Sequence, residues 1–145
     1  MPYLTPDVTT RIFRRLWQCP TLAPVVHTDI TLVDNIKGTT YWAAVSFDPP
    51  RIYLDKSMHE NEADVIHSLA HELCHLLLQH GRHTVQFQRK LGCVVSEYLC
   101  TSYPPSSWAH LRVAEHDHLI TQVLHEHLDE PPTWSRTRLR RVTPT

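Results

Sequence analysis

Between Ser57 and Gly81 the chain places Ile66, Leu69, Leu73, Leu76 and Leu77 at helical spacing, and inside that run stands His71-Glu72-Leu73-Cys74-His75. Residues four apart on a helix share a face, so both imidazoles can reach one metal ion, at roughly 2.0 to 2.1 Å from each nitrogen. Glu72 lies beside them. It can take a proton from a water whose pKa the metal has lowered, without itself being a ligand. The chain's own His and Glu frequencies give on the order of 0.05 chance matches to this pattern, so its occurrence inside a helix with an apolar stripe directs the rest of the reading.

Ser57-Met58-His59-Glu60 has the spacing of a capping box, which predicts a helix start there, and Gly81 predicts a left-handed stop. Upstream, Thr5-Pro6-Asp7 reads as an N-cap, a proline at the first helical position and an acid in the first turn, opening a helix to about Gln18. Val8, Ile12, Phe13, Leu16 and Trp17 form its buried face. The β-branched runs Pro24 to Val33 and Thr40 to Phe47, with Asp34 to Gly38 between them, predict a β-hairpin. Asp48-Pro49-Pro50 breaks the chain, and Arg51 to Leu54 alternates as a short third strand at the sheet edge. Further helices are expected over Thr84 to about Leu99 and Trp108 to Leu128, separated by Tyr103-Pro104-Pro105.

The 145 residues suit one domain with a single core. A content of 41% hydrophobic and 20% charged residues with a formal net charge of -1 names no partner. No apolar run reaches the eighteen or so residues of a membrane helix, and the N-terminus lacks a signal-peptide pattern, so the expectation is a cytoplasmic protein without membrane attachment. Four cysteines without a Cys-x-x-Cys pair speak against a disulfide scaffold or a cysteine zinc ribbon. The division expected is a domain over residues 1–130 and a basic, disordered tail over 131–145.

Histidine, at 12 residues, is the compositional anomaly. A catalytic zinc takes three protein ligands and keeps one open position, so a third ligand is sought downstream. His83 lies beyond Gly81, where the chain can fold back, and is preferred. His80 falls in the last helical turn, about ninety degrees around from the other two, and Glu97 is the fallback.

Ser68-Leu69-Ala70-His71-Glu72-Leu73-Cys74-His75, followed by His83-Thr84-Val85-Gln86-Phe87, resembles the SprT-like zinc metallopeptidases over about Val25 to Gly92. The resemblance implies a minimal zincin core of α+β class, with an N-terminal helix, a three-stranded antiparallel sheet, the His-Glu-x-x-His helix and C-terminal helices. It implies His83 as third ligand and Phe87 packing behind it. A downstream glutamate ligand would instead be similar to the ImmA/IrrE-like zincins.

The expected activity is hydrolysis of peptide bonds by a zinc-bound water that Glu72 activates, with Zn2+ held by His71, His75 and His83. A protein or peptide substrate could add itself to the edge strand near Ile52 to Leu54. The competing reading is a non-catalytic nucleic-acid or protein binding module with a structural zinc. Arg136, Arg138, Arg140 and Arg141 could contact DNA phosphates, an expectation that leans on family analogy. Cys74 is expected to be a small buried residue and His67 a structural histidine, with a supporting position next to the ligands as the alternative. Tyr98 or Tyr103 could stabilise the oxyanion. The histidines at 110, 116, 118, 125 and 127 are expected on a solvated face.

Overall fold

In the computed structural model, residues 4–34, 36, 42–101 and 106–128 are described. The tail expected over 131–145, with its arginines, and Tyr103 lie outside the described residues. The chain is α+β, in the order α1 (Pro6–Trp17), a 3-10 turn (Pro20–Leu22), β1 (Asp29–Val33), β2 (Ala43–Phe47), β3 (Pro50–Asp55), α2 (Glu62–Leu78), α3 (Val85–Leu99), a second 3-10 turn (Ser106–His110) and α4 (Val113–Leu128). Among the described residues, no helix is long and apolar enough to cross a membrane.

Helix α1 begins as its sequence predicts. The Thr5 hydroxyl accepts from the Val8 N–H, Pro6 occupies the first turn, and Ile12 and Leu16 are buried.

The three strands form one sheet, but not the wholly antiparallel one expected. Its strand order is β1-β3-β2: β2 pairs antiparallel with β3, whereas β1 pairs with β3 in parallel, so the sheet is mixed and β1 and β2 form no hairpin. The hairpin instead joins β2 to β3 through the two residues Asp48 and Pro49, which sequence reading took as a chain break. The pleat explains the choice. Ile30 and Leu32 sit opposite Ile52 and Leu54, which also face Val45 and Ala43, so one face of three strands presents a continuous apolar layer. With Ile52 and Leu54 fully buried, β3 belongs at the centre, and the expectation of an edge strand there is corrected. Its backbone is paired on both sides, so no peptide can add itself along Ile52 to Leu54.

Helix α2 packs against α1, α3, α4, β2 and β3. Every residue from Ala63 to Leu76 is buried. A helix buried all round is the centre of its domain and not an amphipathic cover for a sheet, so the apolar stripe read from the sequence is only part of its core contact. The N-terminal boundary also shifts: the cap is Asn61, whose side-chain oxygen accepts from the Asp64 N–H, while the Asp64 carboxylate accepts from the Glu60 N–H. The expected capping serine, Ser57, turns back to Asp55, which accepts from both its N–H and its hydroxyl.

Helices α3 and α4 complete the wrap. Thr84 caps α3 through a bond from the Phe87 N–H, and Gly92 and Cys93 leave the helix continuous. The expected helix from Trp108 divides into the 3-10 turn and α4.

Removing the cap in Asn61→Ala should lower the unfolding free energy by about 1 kcal/mol. Urea titration followed by circular dichroism checks this; an unchanged midpoint would show that the cap contributes nothing to holding α2.

Candidate metal centre

The site lies in the second half of α2 and in the segment that returns from its end. His71 and His75, one turn apart, present their rings with centroids 5.0 Å from each other. The helix stops after Leu78 because Gln79 adopts a left-handed conformation, φ 61° and ψ 32°. This position is two residues earlier than the expected Gly81. Gln79 covers its own helix end by donating a side-chain N–H to the Leu76 carbonyl at 2.6 Å, one of the acceptors a helix terminus leaves over. The chain then doubles back and brings the His83 ring within 5.0 Å of His71 and 4.9 Å of His75.

His71, His75 and His83 form a group whose ligand atoms all lie within 4.8 Å of one another, and these residues can hold a metal ion. The Nε2 atoms of His71 and His83 are 3.1 Å apart. Two nitrogens at zinc-ligand distance on a tetrahedral ion are separated by about 3.3 Å, so this pair already has the span of a tetrahedron edge. Two of the other ring nitrogens face oxygens. His75 Nδ1 faces the His80 carbonyl at 3.0 Å, and His71 Nδ1 faces the Asp117 carboxylate at 4.0 Å. A donor proton directed at the carbonyl through Nδ1 leaves the Nε2 lone pair of His75 for an ion, the usual arrangement of ligating imidazoles. Burial and the neighbouring His83 push the His75 pKa down to about 4, which keeps that ring neutral, and therefore a donor, at physiological pH.

Phe87 closes the group from behind. Its ring stacks on His75 at 4.5 Å and meets His71 and His83 edge-on at 4.8 and 5.1 Å. Glu72 is fully buried, next in the chain to His71.

The other candidates are engaged elsewhere. His80 supplies its carbonyl to His75, and its own Nδ1 accepts from the Arg82 N–H. Glu97 accepts from the Thr21 N–H at 3.0 Å and the Thr21 hydroxyl at 2.5 Å, bracing α3 against the first 3-10 turn. Among the described residues, no fourth histidine, cysteine or carboxylate joins the three imidazoles. Tyr98 lies under the Arg15 guanidinium at 4.3 Å, and burial, with Glu62 next in weight, raises its pKa to about 12. These neighbours belong to α1 and to the first turn of α2, whereas His75 lies in the last turn of that helix.

A further polar group joins α2 to α4. Asp117 of α4 reaches α2, where it accepts from His67 Nε2 at 3.0 Å; His67 Nδ1 meets the Thr121 hydroxyl at 3.2 Å. His67 is thus a buried, bonded histidine. His116 and His125 are buried as well, contrary to the solvated face expected, and burial lowers the His116 pKa. The Ile120, Val123 and Leu124 positions show why: the apolar face of α4 is wide enough to take both rings in with it.

Comparison with family models, with curated proteins and with solved structures yields no match to this chain.

Metal content measured by mass spectrometry should fall from stoichiometric to near zero in His83→Ala and stay stoichiometric in His80→Ala and Glu97→Ala. Retention by His83→Ala would remove His83 from the ligand set. Cys74 is buried and its thiol is pushed well above the usual range, chiefly by desolvation, whereas Cys93 and Cys100 are exposed. A thiol reagent should therefore label Cys93 and Cys100 in the native protein and reach Cys74 only on unfolding; rapid native labelling of Cys74 would contradict its buried placement.

Proposed function

We propose that this chain is a zinc-dependent metallopeptidase resembling the SprT-like enzymes. The observation that carries the reading is the convergence of three imidazoles, two of them backed through Nδ1 by an oxygen, on a helix where a buried glutamate follows the first ligand. Three neutral nitrogen donors suit zinc, and the lack of a fourth donor among the described residues leaves the open position that a catalytic ion requires. Bound there, zinc would supply Lewis acidity, lowering the pKa of a water and polarising a substrate carbonyl.

The residues divide the remaining work. Glu72 takes the proton of the attacking water and returns it to the leaving amine, first base and then acid. Its position beside His71 in a buried helix fixes it relative to the ligands. Phe87 excludes water from the back of the imidazole group. His83 is the partly exposed member of the three, so a peptide approaches from its side. Since β3 is paired on both edges, the substrate is not positioned by that strand.

The burial of His71, Glu72 and His75 also favours a second reading, a structural zinc in a binding module. One variant separates the two. Glu72→Gln should keep its zinc and lose about 10²- to 10⁴-fold in hydrolysis of an unfolded protein such as casein. Proteolysis at the wild-type rate by the zinc-loaded variant would eliminate Glu72 as the base. A wild type that holds zinc stoichiometrically and cleaves nothing would favour the structural role.

A further inference from the structure

A second polar group shares His71 with the metal centre. His67, His71 and Asp117 are all buried, and their ligand-type atoms lie within 4.8 Å of one another. The carboxylate oxygen Oδ1 of Asp117 stands between the two rings, 3.0 Å from His67 Nε2 and 4.0 Å from His71 Nδ1. His67 is in turn held by Thr121 through its other nitrogen. The chain of contacts therefore runs from Thr121 of α4 to His67 of α2, back to Asp117 of α4, and across to the face of His71 opposite its Nε2.

We infer that Asp117 is a positioning residue for the ligand His71, so that α4 is a working part of the metal centre; this rests on the zinc reading above. A carboxylate facing Nδ1 favours the tautomer with its proton on that nitrogen. The lone pair then stays on Nε2, and the negative charge raises the donor strength of the ring. His67, donating to the same oxygen through Nε2, holds Asp117 in place, and the Thr121 hydroxyl meets its other nitrogen. At 4.0 Å the Asp117 to His71 contact is electrostatic and not a hydrogen bond. Inside a fully buried group it is weakly screened, so the orientation it imposes survives high salt.

The same three residues could instead take an ion of their own. The three-imidazole group speaks for the positioning role: with Nε2 of His71 turned to His83 as a donor to the ion, a neutral His71 carries its proton on Nδ1 and has no lone pair there for a second ion.

The test is zinc affinity, measured by competition with a chromophoric chelator on wild type, Asp117→Asn, Ile120→Val and His83→Ala. Asp117→Asn removes the charge with little change of shape, and it should weaken zinc by about 10- to 100-fold. Ile120→Val loosens the buried face of the same helix without touching the polar chain, and it should stay within about twofold of wild type. Zinc lost with His83→Ala yet indifferent to Asp117→Asn overturns the role of Asp117 alone, as does an equal loss in Ile120→Val. A wild type that binds no zinc overturns the centre itself. A second equivalent of zinc that disappears with Asp117→Asn overturns positioning and gives the group its own ion. Nitrogen-detected imidazole spectra of the zinc-loaded wild type provide a readout that needs no variant: His71 should carry its proton on Nδ1, with Nε2 as the metal-bound nitrogen, and a proton on Nε2 would overturn the inference.

Discussion

A helix buried on every side can carry polar side chains only if each finds a partner inside the protein, because an unmet polar group in the interior costs on the order of 1 to 3 kcal/mol. Among the polar residues in the buried stretch of helix α2 are Asp64, His67, Ser68, His71 and His75. The surrounding elements are arranged to answer them. Asp64 closes the N-terminus, Ser68 bonds His59, His67 takes Asp117 and Thr121, His71 faces His83 and Asp117, and His75 reaches the His80 carbonyl. Even His59, itself buried, is held at both ring nitrogens, by Ser68 and by the Asp55 carbonyl. The positions of α3, α4 and the return loop thus follow from the polar residues of one helix as much as from its leucines.

This arrangement also sets the electrostatic character of the centre. Desolvation, and next the neighbouring His83, disfavour protonation of His75. What results is a neutral His75 oriented by the His80 carbonyl, beside a His71 that faces the Asp117 carboxylate. The aromatic wall of Phe87 adds shape without adding charge.

The elements with local signals were legible in the sequence, and those decided by long-range pairing were not. Thr5-Pro6 and Thr84 named their helix starts because capping is a matter of three or four neighbouring residues. His71, Glu72 and His75 were legible through helical spacing, and His83 through its place beyond the helix end. The strand order was not: the apolar runs of β1 and β2 are compatible with a hairpin, and only the need of Ile52 and Leu54 for neighbours on both sides excludes it. Gln79 was hidden because a left-handed stop is expected of glycine, and Gly81 stood nearby. Asp117 carried no signal at all. It is one of three acids in a helix rich in histidine, and its importance comes from a contact with a residue fifty positions earlier.

That separation has a consequence for the order in which the centre can assemble. His71 and His83 are 12 residues apart, whereas His67 and Asp117 are 50 apart. For a flexible chain, closing the longer loop costs about 1.3 kcal/mol more in entropy than closing the shorter one. The donor atoms are thus cheap to gather and their backing is expensive. A chain that has formed only α2, the return loop and the start of α3 already contains every nitrogen that would face an ion. It acquires the carboxylate behind them only when its last described helix docks, so the tightness of the centre reports on whether folding has gone to completion.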